Sequence, residues 1–273
     1  MDIIFSKETL QYRSAGHPES PDRVKTAYNI VKDKYRTIKP TQATISDLAT
    51  VHSQEFIDRL TEGNFTDPDC PRYSNLMHYV LYSVGGALTA QETEGFSLMR
   101  PPGHHAGKNF LGGFCYANNI AIAVKKSELR TLIVDFDGHH GNGTEDIFFG
   151  DDQVVYISLH RSYGFPGTGK ESRKNMLNYP LEVNCGDKKY LETIHEALDE
   201  IEDEEFEQVA FSAGFDAHRD DPLASLGLSR GTFRKIGEIF SSLDLPMFAV
   251  LEGGYVGEDV GRNLDAFLQG VGG

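Results

Sequence analysis

No stretch of this sequence is apolar for the roughly 20 residues that a bilayer-spanning helix needs, so a membrane protein is not expected. The opening residues, MDIIFSKETLQYR, carry no basic flank, no long apolar segment and no small-residue cleavage site. No secretory leader is therefore expected, and a cytoplasmic location follows by default. Cysteine is scarce: Cys70, Cys115 and Cys185 are too few and too scattered for a disulfide framework. They also lack the paired spacing of a cysteine zinc site, so any metal must find histidine and carboxylate ligands. Positive charge is in deficit, with 26 Lys and Arg against 41 Asp and Glu and a formal net charge of −15. An acidic surface repels phosphates and argues against direct nucleic-acid binding. It suits cationic partners such as lysine-rich peptides or polyamines. Much of the acidity reads simply as solubility. The run Glu202, Asp203, Glu204, Glu205 and Glu207 falls where a helix should end and is expected to form a solvated face. No internal repeat, low-complexity tract or linker interrupts the 273 residues, so a single domain over 1–273 is expected.

What is present is a series of short apolar or β-branched runs: 2–5, 96–99, 131–136, 154–160, 208–215 and 247–254, with weaker candidates near 42–45 and 179–183. Nearly unbroken apolar runs suit parallel strands covered on both faces. Helical spacing recurs between them, over 21–32 and about 53–62, 74–92, 117–125, 188–206, 230–242 and 257–269. The first of these opens with Pro21 after Ser20, a favoured first position after a favoured cap. Alternating strands and helices predict an α/β fold with a mostly parallel sheet and helices on both faces. The polar clusters RPPGHH, DGHHGNG, HRSYGFPGTG, DAHRDDP and EGGY each follow a strand. Ligands bind at the carboxyl ends of strands in such sheets, so five segments deliver their chemistry to one edge.

Asp135, Asp137 and His139 alternate at the end of an apolar run, which would set them on one face of extended chain. A carboxylate and an imidazole there suit zinc; the plainer alternative is a polar strand end that caps the next helix. A catalytic zinc keeps three protein ligands and an open position. Asp216 is the third candidate, although a turn-forming role is common for Asp in such a place, and His218 is a weaker substitute. His104 and His105 are neighbouring imidazoles suited to two different proton-transfer roles. Tyr255 follows two glycines and can donate to a developing oxyanion; packing alone is the bland alternative.

Together these segments resemble the histone deacetylase and acetylpolyamine amidohydrolase superfamily, in its zinc-dependent, class II-like branch. RPPGHHA, GGFCYANN, DFDGHHGNGTEDIF, SLHRSYGFPGTG, AGFDAHRDDPL and LEGGY stand in that family's order, and HPESPDR (17–23) matches a segment near its N-terminus. The resemblance implies an arginase-like three-layer sandwich around an eight-stranded sheet. It implies one Zn2+ per chain on Asp137, His139 and Asp216, with His104 paired to Asp135 and His105 to Asn142. It also implies K+ held by carbonyls of Asp135, Asp137, His139 and Leu159 with Ser158. Gly113, Phe114 and Phe165 match the walls of the family's acyl-lysine channel, where core packing would otherwise be the default for a phenylalanine.

The resemblance makes a zinc-dependent deacylase of N-acetyl (acyl) lysine in proteins or peptides the leading expectation, with acetylpolyamine amidohydrolase as the alternative. Leu223 stands where polyamine-selective relatives can carry a carboxylate, which favours lysine. Three rivals remain: a dinuclear ureohydrolase-like enzyme using Asp216, His218 and Asp220, a thiol hydrolase using Cys115, and a non-catalytic acyl-lysine binder.

Overall fold

The computed structural model describes residues 1–272. Eight strands form one sheet: β1 (Ile3–Ile4), β2 (Thr37–Ile38), β3 (Phe96–Ser97), β4 (Thr131–Asp135), β5 (Val154–Arg161), β6 (Met176–Leu181), β7 (Gln208–Ala213) and β8 (Met247–Leu251). Their order is β2-β1-β3-β8-β7-β4-β5-β6, and every neighbouring pair is parallel. All eight carboxyl ends therefore lie along one edge.

The unbroken apolar runs are explained by two separate cores. In β4, Leu132 and Val134 face one core while Ile133 faces the other; in β7, Val209 and Phe211 oppose Ala210 in the same way. The first face is covered by α1 (Pro21–Val31), α7 (Gly186–Asp199), α8 (Arg230–Ser241) and α9 (Gly257–Val271). The second is covered by α2 (Ile45–Leu48), α3 (Gln54–Thr61), α4 (Leu76–Thr93), α5 (Asn119–Ser127) and α6 (Asn142–Phe148). This is the three-layer α/β sandwich expected. A strand's period of two serves both layers at once.

Some expected elements moved. Residues 42–45 form no strand; the edge strand is Thr37–Ile38, and Thr44 opens α2 through a capping box in which Asp47 Oδ2 accepts the Thr44 N–H at 2.7 Å. The strand expected at 179–183 lies at Met176–Leu181, at the sheet's edge, where Pro180 removes no central ladder bond. The helix expected over 188–206 ends at Asp199, and the acidic run beyond it is exposed. α1 begins at Pro21 as read, but the Ser20 side chain makes no capping bond. α6 was hidden in the glycine-rich DGHHGNG segment.

Candidate active site

The chain leaves β4 at Asp135 and bends. The extended chain expected to carry Asp135, Asp137 and His139 on one face is thus a bend: Asp137 and His139 join Asp216, while Asp135 pairs with His104 and Tyr156. Side chains pin that bend to its own backbone: Asp135 Oδ1 accepts the Asp137 N–H at 3.2 Å and Asp137 Oδ1 the His139 N–H at 2.8 Å. Asp216, just past β7, accepts the Gly138 N–H at 2.8 Å through Oδ1. His139 Nδ1 lies 3.1 Å from Asp137 Oδ1 and 2.9 Å from Asp216 Oδ2. Asp216 Oδ2 is buried with no well-aligned hydrogen bond. A carboxylate oxygen without a well-aligned partner, facing an imidazole and a second carboxylate, suits a cation. The three residues bring one donor atom each within 4.8 Å of one another. Two oxygens and one nitrogen are a donor set that zinc accepts, so these residues fit a metal ion.

The electrostatics agree. Burial opposes charge on His139, but the Asp137 and Asp216 carboxylates beside it outweigh that and raise its pKa to about 9. The proton held between the two carboxylates stands where a divalent cation would compete with it. Burial likewise works against the Asp137 charge, yet His104 and His139 hold its carboxyl below the usual range. Asp216 is pushed up, by burial and then by Asp137.

The tandem histidines, in the turn after β3, have separate partners as expected. His104 Nδ1 lies 3.0 Å from Asp135 Oδ2, and His105 Nδ1 lies 2.8 Å from Asn142 Oδ1. Their ring centroids are 4.0 Å apart. Burial lowers His104, but Asp135, Asp137 and Glu252 overcome it and lift the pKa to about 10. Burial, then the neighbouring His104 and His139, drives His105 well below its ordinary value. One imidazole of the pair is thus cationic and the other neutral near pH 7.

Three participants escaped the sequence reading although each lies in a quoted motif. Glu252, fully buried in LEGGY, accepts the N–H of Gly103 at 2.7 Å and of His104 at 3.1 Å through Oε2. Burial lifts its carboxyl to about 7. Arg23, the last residue of HPESPDR, donates to the carbonyls of Gly254, at 2.6 Å, and of Glu252. Asp221 accepts the N–H of Tyr255 at 2.8 Å and of Leu223 at 2.9 Å. Glu252→Ala should lower stability by roughly 2–4 kcal/mol in urea denaturation, because two buried N–H donors lose their acceptor. Glu252→Gln, which keeps an acceptor oxygen, should stay within about 1 kcal/mol of wild type. Equal losses in the two variants would show that these bonds are not what holds the turn.

Tyr255 follows β8 and packs edge-on against Phe114, with centroids 5.8 Å apart. The Arg23 guanidinium lies 5.2 Å from its ring centroid. Burial, then the charges of Asp216 and Asp137, keeps its phenol protonated. Phe165 meets the site from another side, 4.9 Å from the His105 ring and 6.3 Å from His139. Gly113 fits between them only without a side chain: a β-carbon there would lie 2.5 Å from His105 Cδ2 and 2.7 Å from Phe165 Cε1. Its φ of +51° also favours glycine. Leu223 is half-buried, beside the Asp221 that holds Tyr255.

Asp135 and Ser158 are register partners across β4 and β5, with Leu159 next in line. The Gly138 carbonyl accepts the Arg161 N–H at 3.0 Å, which ties the 137–139 bend to the end of β5. His218 is not grouped with Asp137, His139 and Asp216; it lies near Asp220 and Asp259 instead. Cys115 is fully buried, and burial and then Glu252 raise its thiol far above the ordinary value. A thiolate nucleophile is disfavoured there.

A model of the histone deacetylase domain matches residues 17–271. The chain belongs to the histone deacetylase family. A protein named probable deacetylase from Methanothermobacter thermautotrophicus is 36% identical over 301 positions, covering all of this chain and 91% of its own. Acetylpolyamine amidohydrolase 1 of Pseudomonas aeruginosa is 34% identical over 75% of this chain and 65% of its own. Among solved structures, the HDA15 HD domain superposes with a TM-score of 0.91 at 29% identity, covering 100% of this chain and 91% of that one. Acetylpolyamine aminohydrolase from Burkholderia pseudomallei reaches 0.87 at 24% identity over 100% and 98% of the two chains, a likeness of fold. As a histone deacetylase-family protein, the chain is a deacetylase, a hydrolase of amide bonds. No helix among the described residues is long and apolar enough to cross a membrane.

Proposed function

We propose that the protein is a zinc-dependent deacylase that hydrolyses the amide of N-acetyl (acyl) lysine in proteins or peptides, releasing acetate or another carboxylate and the free amine. The observation that carries this reading is the buried Asp137, His139 and Asp216 group, with its orphaned oxygen, beside an unequal histidine pair and a protonated tyrosine. Asp137, His139 and Asp216 would hold one Zn2+. When bound, that ion supplies a Lewis acid for the amide carbonyl and lowers the pKa of water.

The chain's own groups then divide the work. His105 donates from Nδ1 to Asn142 Oδ1, which leaves Nε2 as a free lone pair able to take a proton from water. That proton passes later to the departing amine. His104, fixed by Asp135, stands beside the reacting centre with the second imidazole of the pair. The Tyr255 hydroxyl donates to the oxyanion as it forms. Phe114 and Phe165, with Gly113, flank the acyl-lysine methylene chain. Asp135, Ser158 and Leu159 lie at adjacent strand ends and would supply ligands to K+. The chain acts as one catalytic domain in the cytoplasm, and a surface of net charge −15 favours cationic partners over nucleic acid.

Acetylpolyamine is the second reading, because several relatives carry acetylpolyamine amidohydrolase as their name. Leu223 weighs against it, since an apolar side chain offers a secondary ammonium nothing. The test compares an acetyl-lysine peptide with acetylspermidine on zinc-loaded protein, with Asp137→Ala as control. Peptide turnover lost in the control supports lysine deacylation. Preference for acetylspermidine transfers the mechanism to polyamines, and cleavage of neither substrate overturns the acetyl reading.

Asn142 offers a sharper test of the base. An amide cannot favour the imidazolium as a carboxylate does, so Asn142→Asp should raise the His105 pKa by about 1–2 units. The base must be neutral to work, so the acidic limb of kcat/KM against pH should move upward by the same amount. An unmoved limb would remove His105 from the role.

A further inference from the structure

His218 leaves β7 only two residues after Asp216, yet it points its chemistry elsewhere. The residue is buried, at 5% exposure. Its Nδ1 faces Asp220 Oδ2 at 3.9 Å and Asp259 Oδ2 at 4.0 Å. A histidine with a purely structural role normally bonds such a carboxylate at about 2.7–2.9 Å. Here both carboxylates stand off by about an ångström more than that contact allows.

The hydrogen bonding of the ring sharpens the point. Among the described residues, one bond reaches it, a long 3.4 Å contact from the Asp220 N–H to Nδ1. Nδ1 takes that N–H only at the limit of hydrogen-bond distance, and both carboxylates face the same atom. Neither carboxylate is ion-paired with a lysine or arginine among the described residues. Arg219 leans towards Asp187, at 3.8 Å. A buried ring nitrogen and two carboxylates that no lysine or arginine pairs with converge there.

The geometry points to a second metal site, in which His218 Nδ1, Asp220 and Asp259 bind a divalent transition-metal ion of the zinc kind. Bonds of about 2.0–2.2 Å at tetrahedral angles set ligand atoms about 3.3–3.6 Å apart. The observed separations close to that range by small swings of both carboxylates, Asp220 with a side chain 71% exposed and Asp259 25% exposed, while the buried ring stays where it is. One nitrogen and two oxygens suit Zn2+, with Co2+ or Mn2+ as alternatives.

The site's position gives the ion a task. Asp221, the next residue after Asp220, holds the Tyr255 backbone at 2.8 Å. Asp259 lies in the first turn of α9, just beyond Tyr255. An ion on these ligands staples the turn after β7 to the start of α9, the two segments from which Tyr255 hangs. It touches no substrate; it holds the tyrosine's support.

The test is a metal count on full-length protein, stripped with chelator, titrated with Zn2+ and measured after gel filtration. Wild type should retain two equivalents, Asp259→Asn one, Asp137→Ala one, and the double variant none. Asp259→Asn is nearly isosteric on a half-buried residue, so folding is preserved; His218→Ala should agree with it. In the Asp137→Ala background, excess Zn2+ should raise Tm by about 5 °C, and adding Asp259→Asn should abolish that rise. A single equivalent in wild type, or two that survive Asp259→Asn, overturns this site and leaves the mononuclear deacylase reading intact. Loss of both ions in Asp259→Asn would mean one shared dinuclear centre and would overturn both.

Discussion

Tyr255→Phe is expected to lower kcat by about 10²–10³-fold, the usual effect of removing one oxyanion donor, while zinc content stays at the wild-type level. The substitution is clean because the ring's contacts do not involve the hydroxyl. The edge packing on Phe114 and the Arg23 guanidinium both address the aromatic body, and the backbone stays on Asp221. Thermal stability should therefore be near that of wild type, and KM should change far less than kcat, since the lost bond belongs to the transition state. Steady-state kinetics on an acetyl-lysine peptide, with metal analysis of the same preparation, provides the check. Undiminished turnover would leave Tyr255 as a packing residue and reassign the oxyanion to other donors.

Gly253→Ala is the second large effect expected, at a residue that offers no ligand atom. A β-carbon at this position would fall well inside van der Waals contact of the side-chain oxygens of both Asp137 and Asp216. The Gly253 N–H also donates to Asp137 Oδ2 at 2.7 Å, so the backbone cannot back away without releasing that bond. Its φ lies outside the left-handed region, and the substitution acts through space alone. Affinity for zinc should fall by about 10–100-fold, as when a group that orients a ligand is disturbed, and activity should fall with it at limiting metal. Competition with a chromophoric chelator measures the affinity directly. Wild-type zinc affinity in Gly253→Ala would show that the two carboxylates can separate, and that their crowding against the glycine is not what aims them.

The legible part of this protein was what short segments carry. Apolar runs such as 131–136 and 208–215 name buried strands because each residue there is covered on one face or the other. The motifs around Asp137, His139 and Asp216 named the cluster because each places its donor within a few residues of a strand end. The errors have equally local causes. Residues 42–45 are β-branched enough for a strand, but Thr44 and Asp47 satisfy each other as a helix cap. α6 was masked by the glycines of the DGHHGNG segment in which it starts.

Chain order and residue type were thus enough to specify the α/β class, the sheet edge that carries the chemistry, and the candidate ligands and histidines. Folding alone sorted residues whose partners are remote. Glu252 reaches Gly103 because β3 and β8 are neighbours in the sheet, although the bonded residues are 149 apart in sequence. Arg23 reaches Gly254 across 231 residues because α1 packs on α9. His218, in the sequence a weaker substitute for Asp216 as a ligand, faces Asp259 because the turn after β7 meets the start of α9. Periodicity and motif report what a residue is and which side it faces; which distant group it meets is set by strand order and helix packing, and no local pattern encodes those contacts.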